Sequence, residues 1–199
     1  GWWHTYGANL PQPFTDLLTL EADSHEIRTF QNQVVPGLLQ TKEYALAVVG
    51  SSKIWKDQAE AEKFVQVRAA RQSILLRDEP VTFRAVLGEA VLHQRVGGAK
   101  VIRDQLRHLV EMASRPNITI QVLPFTTGAA TGMYGPFTTL RLSGPCVTEI
   151  VYLENLTGGL YLEHEDEVRR YDLAFTHLRA SALPAEDSIR LIATTADRL

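Results

Sequence analysis

Apolar residues recur at two spacings along the chain, and the alternation between these spacings predicts a mixed α/β domain. Runs with an apolar residue at every third or fourth position predict helices over 14–24, 38–49, 57–76, 99–114, 163–183 and 187–199. Alternating and β-branched runs predict strands over 25–35, 81–87, 118–123, 137–142, 147–153 and 160–162. We therefore expect a sheet of about five to six strands flanked by helices, with a C-terminal helical pair.

The segment 81–123 has the strand–helix–strand order of a right-handed crossover, so its two strands are predicted to be parallel. The strands at 137–142 and 147–153 are joined by a short turn and are predicted to form a hairpin. Between these units lies a loop rich in Gly and Thr, residues 125–136, which follows the carboxyl end of a parallel strand. Open α/β sheets usually bind ligands at that end, so the loop is a candidate binding element.

The segment Val35–Tyr44 joins the first strand to the second helix and combines stiff, flexible and polar residues. Pro36 fixes its own φ and lacks a backbone donor, which ends a strand, and Gly37 permits a sharp turn. Gln40 and Tyr44 then place polar groups at the turn. The pattern is typical of a strand-to-helix corner whose caps are satisfied within the chain. Contact of these polar groups with a ligand is the alternative.

Composition and charge narrow the class of protein. A chain of 199 residues with 45% hydrophobic and 22% charged residues can bury one substantial core or two small ones. The formal net charge of −3 and the pI near 6.1 argue against binding of a nucleic-acid backbone by this chain alone. A single cysteine, Cys146, cannot form an internal disulfide and fits a reducing cytosol. The sequence has neither a signal-peptide pattern nor an apolar run of bilayer length, so we expect a cytoplasmic chain without membrane contact.

One helix carries a candidate anion site. Arg68, Arg71 and Gln72 lie at three- and four-residue spacing within the helix predicted over 57–76, so their side chains lie close together. A solvated face, or ion pairs with nearby acids, is the simplest interpretation of this group. An edge that binds an anion or a carboxylate is the functional interpretation.

Residues suited to catalysis are few and poorly grouped. Glu89 and His93 are four apart and share a helix face, but a metalloprotease needs the pattern His-Glu-x-x-His, which is absent. Glu149 and Glu154 have an odd spacing on one strand, which places them on opposite faces. The sequence lacks a nucleophile elbow as well, and it predicts no catalytic residue, no metal site and no cofactor. The alternative is a free-standing enzyme that uses Glu89, His93 or Glu154 as acid or base.

We expect a ligand pocket between the corner at 36–44, the strand end at 84–93 and the loop at 125–137. Its predicted lining is polar apart from one aromatic wall and comprises Gln40, Tyr44, Arg84, Glu89, Tyr134, Phe137 and Glu154. For each polar residue, a structural hydrogen bond within the chain is the alternative role.

Several stretches together resemble one protein family. The most specific is Pro36-Gly37-Leu38-Leu39-Gln40-Thr41 followed by Glu43-Tyr44. Further matching stretches are Arg68-x-x-Arg71-Gln72, Leu87-x-Glu89-Ala90-x-Leu92, Val96-Gly97-Gly98, Gln105-Leu106, Asn117-Ile118-Thr119-Ile120-Gln121-Val122-Leu123-Pro124, Phe137 and Tyr152-Leu153-Glu154. Through these stretches, essentially the whole chain resembles the uncharacterised C-terminal domain of actinobacterial XRE-type (WhiJ-like) helix-turn-helix transcriptional regulators. Gly88 and His93 depart from the usual pattern, in which an acid and an arginine are common.

The resemblance implies a regulatory role with a DNA reader outside this sequence. Residues 1–13, with Trp2 and Trp3, then form the hinge from a missing N-terminal DNA-binding domain, and residues 14–199 form a single effector domain. The family implies cytoplasmic regulation, homodimers and, in some members, a small partner protein encoded nearby. We therefore expect a sensory or protein-interaction domain that binds a small molecule or a partner protein and so controls DNA binding. A pure protein–protein adaptor is a further interpretation.

Overall fold

One mixed sheet of six strands forms the centre of the molecule. Its strands are β1 (Ser24–Gln31), β2 (Thr82–Gly88), β3 (Ile118–Leu123), β4 (Phe137–Leu142), β5 (Thr148–Asn155) and β6 (Gly158–Leu162). They lie in the order β3-β2-β1-β4-β5-β6. β1, β2 and β3 are parallel, whereas β4, β5 and β6 form an antiparallel meander that continues from β1. The predicted strand number, the parallel crossover and the hairpin are therefore confirmed.

This computed structural model describes residues 12–51, 58–128, 131–144, 148–155 and 158–199. Trp2 and Trp3, most of the predicted hinge over 1–13, and Cys146 lie outside the described residues. Within the described ranges, no helix combines the length and the apolar character that crossing a bilayer requires.

Helices flank the sheet on both faces. Within the described ranges they are α1 (Gln12–Asp23), α2 (Lys42–Ser51), α3 (Gln58–Arg71), α4 (Ala90–His93), α5 (Ala99–Met112), α6 (Glu165–Ser181) and α7 (Ala185–Asp197). A short 3-10 turn, Gly37–Leu39, precedes α2, and another, Gln72–Leu75, extends α3. α6 and α7 are the predicted C-terminal pair, so the mixed α/β fold class is confirmed.

Apolar side chains alternate along each strand between two faces that differ in what covers them. α1, α2, α3, α5 and α7 cover one face, here called the broad face, where Ile27 and Phe83 are buried. α6 covers the other face, here called the α6 face, where Phe30 and Val86 pack with Phe175 of that helix. Because side chains alternate along a strand, two consecutive residues of β1 or of β2 lie on opposite faces of the sheet.

The corner after β1 departs from the predicted boundaries. β1 ends well before Val35, because side chains rather than a neighbouring strand bind the backbone of that residue. The Val35 N–H donates to the Tyr44 hydroxyl (3.2 Å), and its carbonyl accepts from Gln40 Nε2 (2.7 Å). The helix predicted from Leu38 starts as a 3-10 turn, and α2 begins only at Lys42, because a glutamine of α5 binds the intervening backbone.

Candidate functional site

Two of the predicted site residues, Gln40 and Tyr44, hold the backbone of their own corner. Both bind Val35, and both are buried, Tyr44 completely. Burial raises the pKa of the Tyr44 hydroxyl, so this group stays neutral. Gln72, directly after α3, donates from Nε2 to the carbonyls of Gln40 (2.7 Å) and Gly37 (3.2 Å). The corner is satisfied within the chain, as its sequence predicts.

A second glutamine, Gln105 of α5, completes the corner. Its Nε2 donates to the Leu39 carbonyl (2.8 Å), and its Oε1 accepts from the Thr41 N–H (2.7 Å). The Gln105 side chain and Leu39 are both buried, so the Leu39 carbonyl has no water as a substitute for this glutamine. Gln105 belongs to the stretches that carry the family resemblance, and its contacts give that resemblance a structural reason.

The corner leads directly to Arg68, around which a group of charged residues is assembled. Arg68 of α3 donates from Nη1 to Gln40 Oε1 (3.1 Å), and its Nη2 lies 3.7 Å from Glu154 Oε1 at the end of β5. The Arg68 side chain is 12% exposed, whereas that of Glu154 is 60% exposed. The structure thus brings two predicted site residues, Gln40 and Glu154, to opposite sides of one arginine.

One helical turn further along α3, Arg71 forms an interior ion pair with Glu21 of α1. Arg71 Nη2 and Glu21 Oε1 are 3.0 Å apart, and both side chains are more than nine-tenths buried. The Nε atoms of Arg68 and Arg71, and Glu21 Oε2, are buried without a hydrogen-bond partner among the described residues. We refer to Glu21, Arg68, Arg71, Tyr152 and Glu154 as the arginine cluster.

Aromatic rings pack against the two guanidinium groups of the arginine cluster, whose side chains are mostly buried. The Arg68 guanidinium lies over the Phe64 ring at 5.1 Å, and that of Arg71 lies over the Phe14 ring at 5.7 Å. The rings of Tyr152 and Tyr161 pair at 5.0 Å. Such cation–π contacts are strongest where the cation has lost its water, as it has for these two arginines.

The electrostatics of the arginine cluster follow from this burial. Burial raises the pKa of Glu21 against the opposing effect of Arg71, and burial lowers the pKa of Arg68. Burial, reinforced by the Glu154 carboxylate, raises the pKa of Tyr152 to about 12. Burial also raises the pKa of Tyr161. Several perturbed titratable groups in one place are a physical marker of a functional site.

Arg84 and Phe137, by contrast, lie on the α6 face. Arg84 Nε donates to Glu26 (3.0 Å), and the Phe137 ring packs on Tyr171 of α6 at 5.0 Å. Arg84 belongs to a network of three arginines and three acids, composed of Arg28, Arg84, Arg141, Glu26, Glu149 and Asp172. Asp172 of α6 pairs with arginines of the strands, so this network attaches α6 to the sheet. Its three positive and three negative charges balance, which leaves no net charge for a ligand.

Glu89 lies at the carboxyl end of β2 and holds the start of the following loop. Its Oε2 accepts from the Phe125 N–H (2.8 Å), and its Oε1 lies 3.6 Å from His93 Nε2. The His93 ring stacks on the Phe125 ring with centroids 6.0 Å apart. Glu154 lies on β5, three strand positions from β2, which is about 14 Å at normal strand spacing. Glu154 therefore does not join Glu89 and His93 in one acid–base group.

The residues predicted to line a single pocket do not all lie together in the structure. Tyr134 is 95% exposed and lines no enclosed space, while Arg84 and Phe137 point to the face opposite Gln40. Strand alternation divides the predicted residues between the two faces of the sheet, so Gln40 and Glu154 meet at Arg68 while Phe137 packs on the other face. A groove of about 550 Å³ lies elsewhere, lined by Lys42, Val65, Gln66, Ala69 and Ala70, none of which was predicted.

Sequence reasoning missed Glu21, which is the most deeply buried acid of the cluster. A signal for it was present, because Glu21 falls three and four residues after Leu18 and Leu17, on the buried stripe of α1. A charged residue on an apolar stripe requires an interior partner. The partner was Arg71, which sequence reasoning had placed on a candidate anion edge.

The fold and the cluster define a mixed α/β domain with an interior arginine cluster beside the carboxyl end of β5. The chain belongs to the family described as Domain of unknown function (DUF5753), whose profile matches residues 14–194. No curated protein matches the chain.

Proposed function

We propose that this chain is the effector domain of an XRE-type (WhiJ-like) helix-turn-helix regulator. In this role it binds a small ligand and controls DNA binding by a domain outside the sequence. The family membership supports the proposal, together with the resemblance of the corner at Pro36–Tyr44 to such regulators. The arginine cluster is the binding site, because it combines interior charge with one half-exposed carboxylate.

The observation that carries the proposal is the link from Arg71 to Glu21. Glu21 lies on α1, the helix that begins at Gln12, at the end of the hinge expected over residues 1–13. Arg68 lies one helical turn before Arg71 on α3, so a ligand that repositions Arg68 also acts on Arg71. A change at the site thereby reaches α1, and through α1 the segment that leads to the DNA reader.

The arrangement suits a switch because the free energy of an interior ion pair depends strongly on the groups around it. Two buried charges stabilise a fold only when geometry and additional hydrogen bonds offset their lost hydration. A ligand shifts such an equilibrium by as much as its affinity differs between the two arrangements. Coupling free energies between sites are typically about 1–3 kcal/mol, which is within the range of one altered buried contact.

A thermal-shift screen of the domain against metabolites tests ligand binding. A ligand that binds the folded domain raises its melting temperature, and the rise grows with the logarithm of the ligand concentration relative to its Kd. We expect Arg68→Lys to lose this response and two variants outside the cluster, Arg84→Ala and Glu89→Ala, to keep it. A response that survives in Arg68→Lys, or that is lost only in Arg84→Ala, would place the ligand elsewhere and contradict the proposal.

A second candidate function is docking of a small partner protein at the loop after β3. Phe125, Met133 and Tyr134 are 63%, 76% and 95% exposed, which is unusual for three large apolar side chains in one connection. The partner would present an apolar surface, and the family resemblance implies one encoded nearby. If that protein raises the melting temperature while no metabolite does, and Tyr134→Ser abolishes its effect, the adaptor function replaces the sensor.

A further inference from the structure

Among the interior arginines, Arg68 has the loosest contact with a carboxylate. Its Nη2 lies 3.7 Å from Glu154, beyond hydrogen-bond distance, whereas Arg71 and Glu21 are 3.0 Å apart. On the α6 face, Arg141 and Glu26 are 2.9 Å apart. Glu154 therefore neutralises Arg68 from a distance without binding it.

Arg68 also has unused hydrogen-bonding capacity. A guanidinium carries five N–H donors in a fixed fork, and a buried one needs partners for them. Among the described residues, Gln40 accepts one hydrogen bond from Nη1, and the buried Nε has no acceptor. A planar group with two oxygens fits this fork better than the distant Glu154 does.

The Glu154 carboxylate can turn away from Arg68, whereas the Glu21 carboxylate is held at Arg71. The Glu154 side chain is 60% exposed at the end of β5, so its carboxylate regains full hydration when it turns outward. Glu21 is fully enclosed and bound to Arg71. With Glu154 outside, Arg68, Arg71 and Glu21 carry a net charge of one positive unit, which matches a single negative charge.

We propose that Glu154 holds the place of a ligand carboxylate, and that a small monocarboxylate with an aromatic or apolar body displaces it from Arg68. The ligand carboxylate would accept hydrogen bonds from the Arg68 fork. Its apolar body would lie beside the Phe64 ring, over which Arg68 is stacked. This assignment names the ligand class for the proposed effector function and rests on the same site.

Titration calorimetry with sodium benzoate tests the displacement, with sodium chloride keeping the ionic strength constant. We expect Glu154→Gln to bind benzoate up to about fivefold more tightly than the wild type, the ratio that corresponds to loss of one half-exposed competing ion pair. Arg68→Lys keeps the positive charge but loses the fork, and we expect benzoate to bind about tenfold more weakly. Glu163→Gln removes an exposed carboxylate outside the cluster and serves as the matched control, with an unchanged Kd.

Equal benzoate Kd values in the wild type, Glu154→Gln and Glu163→Gln would overturn the displacement. The comparison of these three does not depend on whether Arg68→Lys folds, and circular dichroism checks that variant separately. Tighter binding by Glu154→Gln with no effect of benzoate on DNA affinity of the full-length protein would uphold the ligand class and refute the effector function. A different effector that alters DNA affinity, while benzoate does not bind, would refute the ligand class and uphold the function.

Discussion

The carboxylate of Glu21 and the guanidinium of Arg71 join α1 to α3 in the interior of the molecule, 3.0 Å apart. Glu21 Oε2 and Arg71 Nε have no further partner among the described residues, so the pair is only partly satisfied. Partly satisfied interior pairs contribute little net stability, although removal of one partner is costly. The pair is therefore better suited to transmit a conformational change from α3 to α1 than to stabilise the fold.

The stability of the protein should depend on the titration of Glu21. Burial raises the pKa of this carboxyl above its ordinary value of 4.5, so the folded state binds the proton more tightly than the unfolded state does. Its contribution to the free energy of unfolding is fully present below about pH 4.5 and is lost as the pH rises through the raised pKa. Urea denaturation of the wild type and Glu21→Gln from pH 4 to 8 measures this contribution.

The quantity to compare is the free energy of unfolding of the wild type minus that of Glu21→Gln at each pH. Arg71 loses its partner in the variant at every pH, so that cost does not change the slope. We expect the difference to fall as the pH rises. A difference that rises with pH would mean that Arg71, and not burial, dominates the pKa of Glu21.

Replacement of Gln105 should destabilise the corner without touching the arginine cluster. Gln105→Met has a similar volume but removes the partner of the buried Leu39 carbonyl and of the partly buried Thr41 N–H. Two such groups together cost about 3 kcal/mol in the free energy of unfolding. Gln94→Met, at an exposed position, is the matched control, and an equal loss in both variants would show that the corner bonds contribute nothing specific.

The order and type of the elements followed from the sequence, whereas the partners of its polar groups did not. Apolar alternation in β2 placed Phe83 and Leu87 on one face, and the strand–helix–strand order fixed the parallel pairing. Arg71 meets Glu21 across 50 positions of the chain, and Gln105 meets Thr41 across 64. Local spacing does not encode such distant contacts, so the single-pocket prediction gathered residues that the two faces keep apart.

Gly132 should tolerate no side chain, because the loop after β3 packs directly on β1 at that point. A Cβ at Gly132 would overlap the end of the Phe30 ring. We expect Gly132→Ala to cost about 1–3 kcal/mol through overpacking, and Phe30→Leu to recover part of the loss in the double variant. Gly50→Ala is the control, since a Cβ there meets nothing within 4 Å and α2 gains helix propensity. Additive losses in the double variant would contradict a direct contact.

Arg28 should be the residue on which the attachment of α6 depends most. It is buried, it binds Glu149 and Asp172, and it lies over the Phe175 ring at 5.7 Å. Arg28→Met leaves two carboxylates without this partner, at a cost of about 3 kcal/mol in thermal or urea unfolding. Arg169→Met breaks only an exposed pair and should cost less than about 0.5 kcal/mol. Similar losses in the two variants would show that the network does not fasten α6.

We propose that occupancy of the arginine cluster changes DNA binding. The most direct measurement is the Kd of the full-length protein for DNA, by fluorescence anisotropy, with and without a saturating effector from the thermal-shift screen. We expect the effector to change this Kd by at least about fivefold, the lower range for coupled sites. An effector that binds through Arg68 and leaves the Kd for DNA unchanged would contradict it.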